Sequence, residues 1–362
     1  MTFSKSLLCL ACTVVLPVPL LNAADEIIQT TAATVSTTDA APLKADATPA
    51  FLAPKSDHPF TPLIVGTDLS GWTVHEGKSS AWRREGDTIR CISSTGGWLR
   101  SNAVYSDFVL RLEYRIQAGG NTGIGLRAPA SGNPTFTGLE IQLLDDGAAK
   151  YADLRADQYT GSIYYQVAAS KKAKLQPVNE WNQCEICCLG DEVTVRINGE
   201  IVNQVRLNDR QQEKNSQGVH LLSQRPPIGH LALQSHSTQV DFRKIEVQDL
   251  AVHAASGLNY VDLVAGTGES VGDAASVTLH YVGQLENGKR FTDTRDLGAP
   301  VQVPLHGLIS GLQEGIQGMK VGGRRRMVIP PQLAYGEAGV NDSIPGNATL
   351  VFEVEIREIT RN

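Results

Sequence analysis

Aromatic residues, cysteines and clusters of positive charge are all scarce in this sequence. Phe, Trp and Tyr make up 6% of the 362 residues, whereas glycine occurs 34 times, which favours short strands joined by tight turns over a helical bundle. Lys and Arg total 32 against 38 Asp and Glu. No basic run exceeds Arg324-Arg325-Arg326, so the footprint that a phosphate backbone requires is missing and we expect no nucleic-acid partner.

Long apolar runs are equally rare, since only one is present and it lies at the N-terminus. Lys5 precedes an apolar stretch from Leu7 to Leu21, which is shorter than the ~20 residues of a membrane helix, and small residues follow it. The sequence therefore predicts a signal peptide over residues 1–24 rather than an uncleaved anchor. The mature chain is then expected to be exported, to a periplasmic, cell-surface or secreted location, with no stable membrane span after signal cleavage.

Four cysteines remain after the predicted signal peptide: Cys91, Cys184, Cys187 and Cys188. The spacing of Cys184 and Cys187 resembles half a zinc site or a redox pair, but no second Cys pair or spaced His follows it. Its surroundings are typical of a strand entering a turn, whereas redox pairs begin a helix. We therefore expect structural cysteines, with one disulfide left open, and neither a metal nor a cofactor.

The rest of the chain divides into a linker and two folded regions. The hydrophobic content of 41% excludes wholesale disorder, and the length predicts two or three domains. Residues 25–59 are mostly Ala, Thr, Pro and Asp without periodicity, which predicts a flexible linker. A short junction near residues 251–257 then separates a region at 60–250 from a region at 256–362.

The region 60–250 alternates apolar and polar residues, as strands with one buried face do. Asn198-Gly199 joins two such strands and is a strong hairpin signal. The pattern predicts an antiparallel β-sandwich of two sheets. The alternating runs are Phe108–Ile116, Thr122–Leu126, Leu139–Leu143, Val193–Ile197 and Leu231–His236.

Polar side chains on three of these strands could form one concave binding face. Gly123 and Gly125 would leave bare backbone that a ligand can approach closely. This set suits a hydroxyl-rich ligand such as a sugar or a glycan, although an ordinary solvated outer face would show the same spacing. Its members are an acid, two amides, a guanidinium and an imidazole, namely Glu140, Gln142, Gln234, Arg127 and His236.

Several motifs in this region resemble the 3-keto-disaccharide hydrolase family. They include Gly119–Ile124, Gly138–Gln142, Glu180–Asn182, Val195–Gly199 and Phe242–Ile245. The resemblance covers essentially all of 60–250 and implies a concanavalin-like jelly roll. One departure is Gln234-Ser235-His236-Ser237, where the family typically has Gln-Asp-His-Gly.

That resemblance implies chemistry at a sugar ketone. A ketone at C3 acidifies the C2 proton, so a base can eliminate the C1 substituent and water can then add back. The reaction needs a base, an acid for the leaving oxygen, and donors to the ketone oxygen. Glu140 or His236 is the candidate base, with Arg127, Gln142 and Gln234 as donors. A paired-carboxylate glycosidase is the weaker alternative, because no two acids have a defined separation.

The region 256–362 predicts a different fold. Val277–Val282 alternates as a strand, Asn287-Gly288 marks a turn, and Leu308–Met319 has helical spacing. One short helix against one antiparallel sheet predicts an α+β half-barrel.

Here the motifs resemble the FKBP-type peptidyl-prolyl cis-trans isomerases. They include His280–Gly283, Gly288–Phe291, Gly311–Gly315, Ile329–Pro331, Leu333–Gly336 and Ala348–Phe352. The resemblance implies isomerase activity on X-Pro segments of client proteins, with the Ile309 N–H and the Tyr335 hydroxyl binding peptide carbonyls. It places the proline in a pocket of Tyr281, Phe291, Val301, Leu308, Ile309, Leu312, Tyr335, Ile344 and Phe352.

Two residues of this region depart from the family pattern. Thr292 stands where an Asp is common, with the acid displaced to Asp293, and Leu312 stands at the pocket floor, where Trp is frequent. We expect activity to survive and the family's macrolide inhibitors to bind less tightly. The two resemblances together predict an exported isomerase joined to a sugar-processing domain. In the alternatives, the sandwich is a non-catalytic carbohydrate-binding module that localises the isomerase, or both sites are inactive.

Overall fold

The computed structural model describes residues 58–210, 221–236, 238–272 and 275–361. The predicted signal peptide and nearly all of the predicted linker lie outside these ranges, and so does Ser237. The described chain contains three sheets and two short α-helices, α1 (Pro134–Thr137) and α2 (Ser310–Ile316). None of the helices in these ranges has the length and hydropathy needed to cross a membrane.

Two of the sheets form an N-terminal sandwich of antiparallel strands. The strands are β1 (Thr61–Pro62), β2 (Trp72–His75), β3 (Trp82–Glu85), β4 (Thr88–Cys91), β5 (Trp98–Tyr105), β6 (Phe108–Ile116), β7 (Asn121–Ala128), β8 (Leu139–Leu144), β9 (Asn182–Leu189), β10 (Glu192–Ile197), β11 (Glu200–Arg206), β12 (Gly229–Gln234) and β13 (Val240–Asp249). The large sheet has the order β11-β10-β9-β6-β13-β4-β3, with β1 also paired to β13. The small sheet has the order β2-β5-β12-β7-β8. The predicted antiparallel sandwich is confirmed.

The apolar faces of the strands pack into one core between the two sheets. In β6, Phe108 and Tyr114 are fully buried, whereas Arg111 on the opposite face pairs with Glu185 of β9 at 2.7 Å. This is the alternation that the sequence of β6 predicts, because successive strand residues point to opposite faces. The predicted hairpin between β10 and β11 is also confirmed, with positive φ at Asn198-Gly199.

The edge strand β8 departs from this alternation, because all six of its residues are buried. A following segment pairs with its free edge: the Tyr164 N–H donates to the Glu140 carbonyl at 2.9 Å, and the Gly161 N–H donates to the Gln142 carbonyl at 2.9 Å. α1 lies against the other side of the strand, where Thr135 contacts Glu140. The edge is therefore paired and its outward face is covered.

The four cysteines beyond the predicted signal peptide are all buried free thiols, so the disulfide that the sequence left open is not formed between them. Cys184 and Cys188 face the sandwich core, whereas Cys187 faces the opposite side of β9. Residues three apart on a strand point to opposite faces, so the Cys184-x-x-Cys187 spacing cannot act as a pair here. Burial raises the pKa of each of these three thiols, which keeps them unreactive.

The third sheet forms the C-terminal domain. Its strands are β14 (Val252–His253), β15 (Asn259–Val264), β16 (Ala275–Leu285), β17 (Arg290–Asp293), β18 (Val301–Pro304), β19 (Arg324–Ile329) and β20 (Leu350–Arg361). Their order is β14-β15-β19-β20-β16-β17, with β18 also paired to β16, so the sheet begins slightly before residue 256. α2 packs on β19 so closely that a Cβ on Gly315 would overlap Met327. The predicted α+β fold with one short helix is confirmed.

The two domains meet in a buried interface that combines charge with apolar packing. The Gly190 carbonyl accepts hydrogen bonds from Arg127 of the sandwich at 2.9 Å and from Arg326 of the C-terminal domain at 2.5 Å. Asp107 lies 3.8 Å and 3.5 Å from these two arginines and accepts the Gly190 N–H at 2.6 Å. Leu189 also packs with Val261 across the boundary. Because these groups are shielded from water, the interface depends on complete pairing of its charges.

Candidate active sites

An apolar pocket opens between α2 and the third sheet. Seven of the nine predicted pocket residues line it: Tyr281, Phe291, Leu308, Ile309, Leu312, Tyr335 and Phe352. Val301 and Ile344 belong to the surrounding hydrophobic core and are not among the lining residues. The lining residues that sequence reasoning missed include Leu279 and Val354. The signal that could have found them is strand alternation, since they stand two residues from Tyr281 and Phe352 on the same faces.

Three aromatic rings form one wall of this pocket. The Phe352 ring lies 5.6 Å from the Phe291 ring in an edge-to-face arrangement and 6.1 Å from the Tyr281 ring. Leu312 and Ile316 of α2 line the pocket as well, and both are buried. Such rings bury a large apolar area and keep water out. The pocket therefore offers a dry surface of the size of a prolyl ring and its neighbours.

The structure shows how the departure from the family pattern at Thr292 is accommodated. Burial raises the pKa of Tyr281, and a hydrogen bond with the Thr292 side chain partly opposes that effect. Thr292 thus gives Tyr281 a polar partner inside the pocket. Asp293 instead accepts the Arg295 N–H at 3.0 Å and caps a 3-10 turn, with Arg290 at 3.4 Å. The displaced acid serves the local fold and does not enter the pocket.

In the sandwich, Glu140 is the centre of a second candidate site. Its side chain lies over Gly123, where any Cβ would overlap Oε1. Thr135 of α1 donates to Oε2 at 2.5 Å, and the Gln234 side chain forms a further hydrogen bond. Burial raises the pKa of Glu140 from 4.5 to about 7, although these two hydrogen bonds oppose the rise. A carboxyl group with this pKa can accept and return a proton near neutral pH.

The neighbours of Glu140 add donors and acceptors. Gln142 donates to the Asn121 side chain at 2.9 Å. The Gln234 Oε1 atom is buried and has no hydrogen-bond donor among the described residues. Tyr164 is close enough that burial, Tyr165 and the Glu140 charge raise the pKa of its hydroxyl. A ligand hydroxyl would satisfy the free Gln234 oxygen, which makes the cluster suited to a polyol.

The structure corrects two expectations about this site. Arg127 does not join it: a bulge with φ of 47° turns the side chain away, and the guanidinium bonds to Ser106 O at 2.7 Å and to Gly190 O. Gly123 and Gly125 do not expose bare backbone either. Glu140 itself covers Gly123, and Trp98 packs near Gly125. These glycines make room for neighbouring side chains and not for a ligand.

His236 lies on the small sheet's side of the sandwich but outside the buried cluster. It follows the end of β12 by two residues, it is exposed, and no hydrogen bond joins it to Glu140 among the described residues. Loss of hydration and the charge of Lys150 lower its pKa. Of the two candidate bases, Glu140 is therefore the one that the fold places in a shielded polar cluster.

Sequence reasoning missed Thr135 and Tyr164, which lie in irregular segments where alternation gives no guidance. One local signal could have found the first. Asn133 caps α1 by accepting the Thr135 N–H at 3.0 Å, and Pro134 occupies the first helical position. An Asn-Pro pair of this kind marks a helix start. Its proximity to Glu140, five residues later, then follows from the tight Gly138 turn.

Comparison with known proteins divides the chain in the same way. It belongs to the family described as the 3-keto-alpha-glucoside-1,2-lyase-like domain, which matches residues 59–248, and residues 268–357 belong to the FKBP-type peptidyl-prolyl cis-trans isomerases. Both resemblances stated from the motifs are thus confirmed.

Individual relatives give the extent of the similarity. An inferred FK506-binding protein of Corynebacterium glutamicum is 46% identical over 26% of this chain and 80% of its own length. The crystal structure of FkpA from Escherichia coli is 40% identical over 32% of this chain and 53% of that one, with a TM-score of 0.30. A proposed glycosyl hydrolase from Parabacteroides distasonis is 21% identical over 53% of this chain and 100% of that one, with a TM-score of 0.49.

The match to full-length isomerases is partial. The chain spans 43%, 53% and 64% of the length of relatives from Haemophilus influenzae, Buchnera aphidicola and Escherichia coli. The three alignments cover 104, 133 and 173 residues, which are 29%, 36% and 47% of this chain.

Proposed function

We propose that this is an exported two-domain enzyme whose C-terminal pocket isomerises X-Pro bonds in client proteins. The observation that supports this proposal is the apolar, aromatic pocket beside α2. Rotation about a peptide bond meets a barrier of ~18–20 kcal/mol, because resonance favours the planar, polar form. The twisted transition state is less polar, so a pocket without water favours it over the ground state, and no nucleophile is required.

Some pocket residues enclose the prolyl ring, and others hold the carbonyls of the bound peptide. Tyr281, Phe291 and Phe352 enclose the prolyl ring. The Ile309 N–H stands at the start of α2, where it donates to no other described backbone group, and we assign it as the donor to a peptide carbonyl. The Tyr335 hydroxyl binds a second carbonyl. Holding the two carbonyls in fixed positions uses binding energy to lower the barrier to rotation about the X-Pro bond.

The test is the rate of cis/trans exchange of an X-Pro peptide with the full-length protein. Phe352→Ala should remove most of the acceleration, because it opens the wall that both other rings contact. Phe136→Ala, in the sandwich, is the matched control and should leave the rate unchanged. If wild-type protein gives no acceleration over the uncatalysed rate, the proposal fails.

For the sandwich, we propose elimination at a 3-keto-glycoside, carried by the buried Glu140 carboxyl. Ionised Glu140 takes the C2 proton, a C1=C2 double bond forms as the C1–O bond breaks, and the protonated Glu140 returns the proton to the leaving oxygen. Gln142 and Gln234 are placed to hydrogen-bond the sugar. Glu140 is 2% exposed, so substrate reaches it only when the groups that cover it, which include Thr135 of α1, move aside.

The experiment is release of the leaving group from a 3-keto-glycoside by the full-length protein. Glu140→Gln should abolish release and retain sugar binding, because the amide keeps the shape and loses the proton acceptor. Asn121→Ala disturbs only the partner of Gln142 and should reduce the rate less. A carbohydrate-binding module would bind the sugar and release nothing even as wild type, and that result would refute the catalytic proposal.

A further inference from the structure

A narrow cleft lies between the two domains, with walls from both. Arg127 and Arg225 contribute from the sandwich, and Arg326 contributes from the C-terminal domain. Neither proposed activity uses this cleft. Its walls contain guanidinium N–H groups that have no acceptor among the described residues, and these donors need an explanation.

Arg225 is the cleft residue with two N–H groups that lack acceptors. It is 4% exposed, and its Nη1 atom donates to the Phe136 carbonyl of α1, but its Nε and Nη2 atoms have no acceptor among the described residues. Arg127 and Arg326 differ, because both donate to Gly190 O beside Asp107. Burial lowers the pKa of Arg225 to about 10, so the guanidinium is still charged at neutral pH. Burying a cation with two N–H groups that lack acceptors reduces stability, unless a bound anion accepts both hydrogen bonds.

The free edge of Arg225 defines the chemistry of that anion. Nε and Nη2 present two parallel N–H groups, which match the two oxygens of a carboxylate. Asp191 and Glu353 also line the cleft, and repulsion from these acids grows with the charge of the ligand, so a monoanion is favoured over a dianion such as phosphate. Apolar side chains on both walls, including Leu222 and Val351, would contact a carbon skeleton.

We propose that this interdomain cleft binds a small organic monocarboxylate through the free edge of Arg225. Because both domains supply the walls, the bound molecule contacts both and stabilises their association. The same arginine holds α1 through Phe136, and α1 covers Glu140 through Thr135. The site is therefore connected by one hydrogen bond to α1, the helix whose Thr135 covers Glu140.

Calorimetric titration of the full-length protein tests this proposal, with butyrate and benzoate as probes and phosphate as the dianion, at constant ionic strength. Both monocarboxylates should saturate one site and raise the unfolding temperature, and phosphate should bind at least roughly tenfold more weakly. Arg225→Lys keeps the charge and loses the fork, so it should weaken carboxylate binding by roughly tenfold.

Arg100→Lys is the matched control. Arg100 also holds the segment before α1, through the Pro129 and Ala130 carbonyls at 3.1 and 2.5 Å, but it does not line the cleft. Arg100→Lys should therefore leave the carboxylate affinity unchanged. Asp191→Asn gives an independent readout, since removing a wall acid should increase phosphate affinity. Absence of saturable carboxylate binding, equal binding of phosphate by wild-type protein, or equal losses in Arg225→Lys and Arg100→Lys would each overturn the proposal.

Discussion

Replacing Glu140 by glutamine should stabilise the protein at alkaline pH while removing the candidate base. The carboxyl ionises at its ordinary value of 4.5 in the unfolded chain and at about 7 in the folded sandwich, because burial disfavours its charge. Between these values the folded state holds a proton that the unfolded state has lost. Wild-type stability therefore falls as pH rises through this interval, and the loss is complete above pH ~7.

The magnitude follows from the same two values. Each pH unit over which the folded state holds one extra proton is worth about 1.4 kcal/mol, so the whole interval is worth about 3 kcal/mol. Glutamine has the same shape and no charge to bury. Glu140→Gln should therefore be about 3 kcal/mol more stable than wild type at pH 8.5, and within about 1 kcal/mol of it at pH 5.

Urea unfolding of both proteins at pH 5 and pH 8.5 measures this difference. Glu113→Gln is the control with the opposite sign. Burial alone would raise the pKa of Glu113, but hydrogen bonds and charges from Lys244 and Arg243 hold it below 4.5. That carboxylate stabilises the fold above pH 4.5, and its contribution is lost only as pH falls through its lowered pKa. Glu113→Gln should therefore destabilise the protein by nearly the same amount at pH 8.5 and at pH 5, and by less only below pH ~4.5.

One outcome would refute the reasoning about Glu140. If Glu140→Gln changes stability by the same amount at both pH values, the carboxylate ionises in the folded state without penalty. The pKa would then be ordinary, and the argument that Glu140 is poised as a base near neutral pH would lose its physical support.

Two further predictions concern the packing around the sites. Asp107→Ala removes the carboxylate that lies between the buried Arg127 and Arg326 and leaves Glu353, at 3.9 Å from Arg326, as the acid beside them. Urea unfolding should show a loss of roughly 3 kcal/mol, whereas a loss below about 1 kcal/mol would mean that Glu353 alone compensates the interface charges. Gly123→Ala places a Cβ where Glu140 Oε1 lies, so it should eliminate release from a 3-keto-glycoside while X-Pro isomerisation continues at the wild-type rate. Full release activity in that variant would show that Glu140 need not occupy its observed position.

Much of the fold follows from the sequence alone. Alternation in Phe108–Ile116 and Leu139–Leu143 predicts two strands that the structure contains, and Asn198-Gly199 predicts the hairpin between β10 and β11. These are local properties, since a period of two residues and a positive φ are set by neighbours in the chain. The family motifs likewise led to most of the residues that line the C-terminal pocket, because those residues fall on the inner faces of regular strands and of α2.

Only the tertiary structure decided what covers each strand and where the regular period breaks. The alternation of β7 assigned Arg127 to the sugar site, but a bulge sends it to Gly190 and into contact range of Arg326, about 200 residues away in sequence. The same pattern left Gly123 bare, whereas Glu140 from the adjacent strand fills that space. The pKa of Glu140 depends on burial under α1, and the free edge of Arg225 depends on how two domains meet. Such properties arise from contacts between distant segments, and a pattern of neighbouring residues carries no information about them.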